Sequence, residues 1–488
     1  MSDISNRPVA TSTSMPHPSP PIRSARGRVG VFGIGLAAYW PQFPGLKERL
    51  EGYTRQIVGR VDAWANVVSA GLVDDEEGAR ATGDLFAREG VDLILLHTAT
   101  YATSSQVLPA VQRAGVPVVV LNLQPVAVLD YAHTDTGEWL ANCSACCAPE
   151  LAGAFARARV PYQVVSGLLT GDDDTRAWRE IREWLRAAGT VRALRDARVG
   201  FLGHTYPGML DLYSDFTQHH AQLGLHVEVL EMDDLQACVE AATDGDLGQV
   251  LRETRDMFAL DDSVTDERLS WAARVAAGMD RLVEDYRLDA LTYYYRGRGA
   301  FEELGAALIL GGSRLTARGV PCAGEGDLKN AVAMLLLDRL GAGGSYTEFY
   351  AMDLAEGFVL MGHDGPGHIA ISDRRPILCG LGLYHGKAGH GVSVEFSVKT
   401  GPVTILGVTQ TADGRLKLLV AEGEALPGEI LHIGNTNSRL RFALPPDLFM
   451  DRWCQEGPTH HVALGVGHEA ATLEKVGRLL GLETVVVR

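Results

Sequence analysis

Residues 28–170 alternate near-continuous apolar segments with stretches of helical spacing. The segments "RVGVFGIG" (28–35), "VDLILLHTAT" (91–100) and "VPVVVLNLQP" (116–125) are rich in Val, Leu and Ile and end in polar residues. Strands buried on both faces read this way, as in a parallel sheet covered by helices. Between them, "EGARATGDLFAREG" (77–90) and "SSQVLPAVQRAG" (104–115) have helical periodicity and stop at Gly. The pattern predicts a doubly wound α/β unit. A long polar helix, roughly 174–195, leads to a second unit built from "ARVGFLGHTYPG", "LHVEVLEM", "LDALTYYYRGRG" and "GVPCAGEGD". In such sheets ligands sit at the carboxyl ends of strands. That directs attention to the loops at His97–Tyr101, His204–Gly208, Tyr293–Arg298 and Gly324–Asp327.

After about residue 345 the texture changes. "VSVEFSVKTGPVTILGVTQTADGRLKLLVAEGE" (392–424) alternates, with a turn at "KTGP" and a hairpin signal at "ADGR". "ILHIGN" (430–435) and "RLRFAL" (439–444) read as further strands, followed by a helix over 468–481 and a last strand, "ETVVVR". The expected architecture is α/β: two doubly wound parallel-sheet domains, then a β-rich, antiparallel, barrel-like C-terminal domain. The expected limits are a disordered tail at 1–27, an N-terminal α/β domain at 28–172, a central α/β domain at 173–344 and a C-terminal domain at 345–488.

Composition narrows the class. A chain of 488 residues exceeds what one core serves. Its 46% hydrophobic and 22% charged residues are those of a soluble globular protein. The net charge of −17 argues against a nucleic-acid partner. No apolar run approaches the ~18 residues of a membrane span. The 7 cysteines are irregularly spaced, which suits a reducing cytoplasm better than a disulfide framework. The first 28 residues are rich in Ser, Pro and Arg and lack the apolar core of a secretory signal.

Four clusters have chemical potential. In "AGEGDLKNA" (323–331), Asp327 reads as the N-cap of a helix, and Glu325 is a strand-end carboxylate between two glycines. In "SYTEFYAMD" (345–353), Glu348 alternates with Tyr346 and Tyr350 along a strand face, and Asp353 closes the segment. In "LMGHDGPGHIAIS" (360–372), His363 and His368 flank a Gly/Pro loop; in "GPTHHVALGVGH" (457–468), His460 and His461 open a strand and face opposite ways. Carboxylates with imidazoles suit a divalent cation of intermediate hardness such as Mn²⁺. A competing cluster is "NCSACC", where Cys143-x-x-Cys146 is a redox pair or half a zinc site; Cys238, Cys322, Cys379 and Cys454 read as buried small hydrophobes.

The joint set "AGEGDLKNA", "TEFYAMD", "LMGHDGPGH" and "GPTHHVALGVG" resembles the L-arabinose and L-fucose isomerase superfamily, over about 28–488 and most strongly over 290–488. The resemblance implies a metal-dependent aldose–ketose isomerase, usually with Mn²⁺, acting through an ene-diolate on an open-chain pentose or (deoxy)hexose. It implies metal ligands at Glu325, Glu348, His363 and His461, with Asp353, His368 and His460 as the respective rivals, and Glu325 and Glu348 as acid and base. It implies a homo-oligomer with sites near subunit contacts. Two loops depart from the arabinose-type pattern. In "NCSACCAPE", Cys146 stands at a His position beside Asn142, and in "GLAAYWPQF" the expected Gln gives way to Tyr39 and Trp40. The sugar is thus open between L-arabinose, another aldose and a 6-deoxy sugar, with Trp40, Asn142, Cys146 and Asn437 as candidate sugar contacts. A sugar or sugar-acid epimerase using the same metal site, or a non-catalytic sugar-binding protein, are the alternative readings.

Overall fold

The computed structural model describes residues 25–295, 299–381 and 390–488. The first sheet contains β1 (Arg28–Ile34), β2 (Asn66–Val73), β3 (Leu93–His97), β4 (Val118–Gln124) and β5 (Tyr162–Leu168), in the order β2-β1-β3-β4-β5 and parallel throughout. Alternate residues of its central strands feed two separate cores. Val29, Val31, Leu93, Leu95, Val119 and Leu121 pack on Ile57, Trp178 and Ile181. Phe32, Ile94, Leu96, Val118 and Val120 pack on Phe86, Leu151 and Phe155 on the other face. That two-sided burial is the doubly wound arrangement expected, and it explains the unbroken apolar runs. The edge strands β2 and β5 are largely half-exposed.

Of the expected tail, residues 1–24 lie outside the described residues. Ala25 to Gly27 are anchored: the Ala25 N–H donates to the Arg339 carbonyl at 2.8 Å, and Arg26 donates to the Asp62 and Ala65 carbonyls.

The next strands are β6 (Arg198–Gly203), β7 (His226–Leu230), β8 (Ala259–Leu260), β9 (Ala290–Tyr294) and β10 (Cys322–Ala323). Four of them form a second parallel sheet, β10-β9-β6-β7. Part of the expected strand-end loop after β9, residues 296–298, lies outside the described residues.

The remaining strands are β11 (Ser345–Asp353), β12 (Phe358–His363), β13 (Ile377–Gly380), β14 (Val392–Glu395), β15 (Gly401–Gln410), β16 (Leu416–Leu426), β17 (Thr436–Phe442), β18 (His461–Val466) and β19 (Glu483–Val487). The order β15-β18-β11-β12-β17-β16 closes on itself because β16 also pairs with β15 along its length. The result is an antiparallel six-stranded barrel. On its other edge β16 meets β17 at 423–426 and β19, in parallel, at 417–421. A small sheet, β14-β13-β8, joins this part to the central one.

Three details differ from the sequence expectations. "ILHIGN" is not a strand. The Leu431 N–H donates to Asn437 Oδ1 at 2.9 Å, and His432 Nδ1 lies 2.9 Å from the buried Glu395 carboxylate, so the segment is held as a loop. The strand expected at 439–444 begins earlier, at Thr436, and ends at Phe442. In β11 the alternation through Tyr350 is broken: Glu348 pairs with Gly362 and Phe349 with Met361, but Ala351 pairs with Leu360. A bulge at Tyr350 absorbs the extra residue.

One helix deserves separate description. In Leu328–Arg339 every residue from Leu328 to Asp338 is buried. One core cluster joins it to Val199, Phe201 and Ala290 of the second sheet and to Leu406, Val408, Leu418, Val420 and Ala463 of the barrel. The helix is buried on all sides although Lys329, Asn330 and Asp338 are polar, so it lies inside a large core. Among the described residues, no helix is long and apolar enough to cross a membrane.

Candidate metal centre

The centre begins where β10 stops. Glu325 has φ 61° and Gly326 has φ 66°, so the chain makes two successive left-handed steps. The turn is tied to both neighbouring strand ends. The Tyr206 N–H donates to the Glu325 carbonyl at 2.9 Å and the Gly326 N–H to the Tyr293 carbonyl at 3.0 Å. A Cβ at Gly326 would lie 2.4 Å from the His204 carbonyl oxygen, and one at Gly324 would lie 3.1 Å from the Tyr346 ring. The glycines therefore admit close neighbours, while Glu325 itself carries the unfavourable backbone conformation. A non-glycine residue held at positive φ stores strain of the kind that clusters at functional sites.

Asp327 caps the helix, as expected: its Oδ1 accepts from the Asn330 N–H at 2.9 Å. It also does something the sequence did not reveal. Its Oδ2 lies 3.0 Å from His461 Nδ1. Donation from Nδ1–H to this carboxylate leaves the His461 Nε2 lone pair facing the centre, 3.5 Å from Glu325 Oε2. The Tyr346 hydroxyl, fully buried, is 2.9 Å from the same Nδ1, 3.1 Å from His461 Nε2 and 3.2 Å from the Gly324 carbonyl.

His363, at the end of β12, places Nε2 4.0 Å from Glu325 Oε1, and its ring centroid is 5.0 Å from that of His461. Glu348 pairs with His461 and Gly362 across adjacent strands. Donor atoms of Glu348, His363 and His461 all lie within 4.8 Å of one another, as do those of Glu325, His460 and His461. The fold thus gathers Glu325, Glu348, His363 and His461 from four segments. Burial raises the Glu325 carboxyl above its ordinary value; His461 and His460 oppose that, and Glu348 and Asp364 add to it. Glu325 Oε2 is buried and accepts no hydrogen bond. A buried acceptor in that state, beside a second carboxylate and two imidazoles, fits a divalent cation.

Asp353 and His368 lie outside both donor clusters, whereas His460 shares one with Glu325 and His461. Asp353 turns the chain between β11 and β12, accepting from the Ala355 and Glu356 N–H groups at 3.1 and 2.8 Å. His368 is buried without a partner for either ring nitrogen, its pKa pushed down to about 4 by burial, and it belongs to neither donor cluster. His460 stands at the rim with Nδ1 2.6 Å from Asp211 Oδ2, a pairing no sequence pattern announces.

Of the candidate sugar contacts, Asn437 stands in the same cross-strand row as His461, Glu348 and Gly362. The Asn437 amide is committed to its own loop, accepting from the Leu431 N–H and donating to the Leu431 and Asn435 carbonyls. Trp40, Asn142 and Cys146 are on the strand-end loops of the first sheet. There Trp40 Nε1 donates to Asp74 at 2.7 Å and Asn142 Nδ2 to the Glu138 carbonyl at 3.0 Å. Of the cysteines read as buried, Cys238 and Cys322 are buried, Cys379 is half-buried and Cys454 is exposed on the helix Pro446–Gln455.

Two parts of the chain match known family models. Residues 214–343 match the model of the L-arabinose isomerase central domain, and residues 378–488 match that of the L-fucose isomerase C-terminal domain. An L-arabinose isomerase from Nocardioides sp. is 24% identical over 91% of this chain and 91% of its own length. Sulfoquinovose isomerases from Priestia aryabhattai and Alkalicoccus urumqiensis are 23% and 24% identical over 81% of this chain, covering 85% and 86% of their own lengths. Both domain matches and these relatives support the L-arabinose and L-fucose isomerase superfamily for this chain, and the matched families are enzymes.

Proposed function

We propose that the protein is a metal-dependent aldose–ketose isomerase acting through an ene-diolate on an open-chain pentose or (deoxy)hexose. The observation that carries this reading is that Glu348, His363 and His461 form one donor cluster and Glu325 adjoins it, 3.5 Å from His461 and 4.0 Å from His363, with both histidines buried and both carboxylates half-buried. These four would hold a divalent cation, Mn²⁺ by the balance of carboxylate and imidazole donors. When bound, the cation supplies Lewis-acid polarisation of the sugar carbonyl.

The rest is the work of the side chains. One carboxylate takes the proton from C2 of the aldose and returns it to C1. The other moves the hydroxyl proton from O2 to O1, so the sugar is isomerised without net loss of a proton. Burial of Glu325 raises its pKa and so makes it a stronger base than a solvated carboxylate. His461 is held by Asp327 so that one ring nitrogen points inward. We place the enzyme in the cytoplasm as a homo-oligomer in which the loops carrying Trp40, Asn142 and Cys146 complete a sugar pocket at subunit contacts.

The test is a panel of aldoses and ketoses, including L-arabinose and sulfoquinovose, with metal-stripped protein, added Mn²⁺ and chelator. Conversion of an aldose to its ketose that needs Mn²⁺ is the expected result. A C2 epimer as sole product would make it an epimerase. Chelator-insensitive sugar binding without turnover would make it a binding protein.

A further inference from the structure

The chain carries a second reactive cluster, on a loop of the first sheet. Cys143 and Cys146 lie on the loop that leads into the helix Cys147–Ala158, at the carboxyl end of the first sheet. Their Sγ atoms are 2.8 Å apart. Cys143 is buried and Cys146 is exposed. The third thiol is turned away: Cys147 is buried and donates to the Ala102 carbonyl at 3.1 Å. Among the described residues, no group of three metal donors includes any of these cysteines. Zinc binding, one of the two chemistries the spacing allows, therefore lacks its partners. What remains is a C-x-x-C pair in contact at a helix N-terminus, one thiol open to solvent and the other behind it. Closing a bond of ~2.0 Å from that separation needs less than ~1 Å of movement.

We propose that Cys143 and Cys146 form a reversible dithiol–disulfide centre whose co-reactant is a small disulfide of the oxidised-glutathione class. The exposed Cys146 thiolate attacks one sulfur of the small disulfide and expels the first thiolate, leaving a mixed disulfide on Cys146. The Cys143 thiolate then attacks Cys146 Sγ and expels the second. Two protein thiols are oxidised, the small disulfide is reduced to two thiols, and the two protons released from the cysteines end on those thiols. Burial raises the Cys143 thiol above its ordinary value, which slows its own attack on the mixed disulfide but also makes its thiolate the poorer leaving group and slows reopening by an attacker at Cys146. In a reducing compartment such a pair is a transient, sensing disulfide rather than a structural one.

The test needs no sugar substrate and so stands apart from the isomerase reading. The full-length protein is equilibrated in reduced and oxidised glutathione at graded ratios, free thiols are trapped with an alkylating reagent, and peptides are mapped by mass. Cys143 and Cys146 should lose alkylation together, appear as one intramolecular disulfide, and recover both thiols in excess reduced glutathione. Cys143→Ser should convert that product into a persistent mixed disulfide with glutathione on Cys146, and Cys146→Ser should leave Cys143 unreactive. The proposal is overturned if Cys146 of the unaltered protein stays free in the most oxidising buffer. It is equally overturned if Cys146 stops at the mixed disulfide, or pairs with any other cysteine.

Discussion

Asp327 uses its two oxygens for different purposes, and a single substitution can separate them. Oδ1 caps the helix through the Asn330 N–H, and Oδ2 orients His461 through Nδ1. Asparagine occupies the same space and caps as well as aspartate. It cannot serve both partners. With its carbonyl on the Asn330 N–H, its NH₂ group faces His461 Nδ1 and drives the imidazole proton to Nε2, the atom that faces Glu325. With the amide flipped, His461 keeps its acceptor but the cap is lost, at a cost of about 1 kcal/mol. Asp327 is fully buried, so water cannot substitute. Loss of a carboxylate behind a metal-binding His typically weakens metal affinity about 10–100-fold, or about 1.4–2.7 kcal/mol. Mn²⁺ titration of metal-stripped Asp327→Asn by calorimetry should show that loss, while the melting temperature of the metal-free protein falls by no more than the cap is worth. A wild-type Kd for Mn²⁺ in Asp327→Asn would refute the argument and leave Asp327 as a cap alone.

Glu325→Gln should lower kcat by several orders of magnitude with native circular dichroism. Because the folded-state pKa of Glu325 is raised, its stabilising contribution is present at low pH and lost as pH rises through that pKa. The metal-free Gln variant should therefore melt no lower than wild type at pH 8, and a marked drop would contradict the burial argument. Gly326→Ala puts a Cβ 2.4 Å from a carbonyl oxygen at a φ of 66°. It should cost at least about 2 kcal/mol by thermal melting and displace Glu325, lowering activity as well. Asp211→Asn breaks the rim pair with His460. The Asp211 pKa lies at about 2: burial, the largest single influence, raises it, but the two hydrogen bonds from His460, its charge and a local backbone hydrogen bond together more than offset this. The His460 pKa is raised because Asp211 outweighs burial. The Asp211 contribution is present above the unfolded carboxylate pKa of ~4 and lost as pH falls toward 2, while the His460 contribution is present below ~6.5 and lost as pH rises through its raised pKa. The stability difference from wild type should be greatest near pH ~5, shrink as pH rises through the raised His460 pKa, and stay below about 1 kcal/mol because both groups are over a third exposed. A pH-independent difference would show that the pair is not titrating.

What could be read from the sequence followed burial. β1, β3 and β4 are covered on both faces and stand out as apolar runs; β2 and β5 are sheet edges whose polar residues dilute the signal. The apolar look of "ILHIGN" misled because its fate is set by Asn437 and Glu395, which lie outside any local pattern. The bulge at Tyr350 depends on the register with β12, which one strand alone cannot show. The carboxylates and histidines of the centre were visible as strand-end residues whose order resembles a known set. Their supporting contacts were not. Asp327 and His461 are 134 positions apart, and Asp211 and His460 are 249.

The helix Leu328–Arg339 has a mechanical consequence. It follows Glu325 directly, runs through the central sheet's core and is roofed by the barrel, with no face left to solvent from Leu328 to Asp338. Any hinge between the central sheet and the barrel would have to strip water-free surface from this rod. The two halves should therefore melt in one transition, and protection of the helix amides from hydrogen exchange should match global unfolding. Glu325 is thereby mounted at the start of a buried helix, and His461 is tied to that helix's cap through Asp327. Motion that admits and releases a sugar must then come from the loops around the centre or from the first α/β unit, not from opening the seam on which the four donors meet.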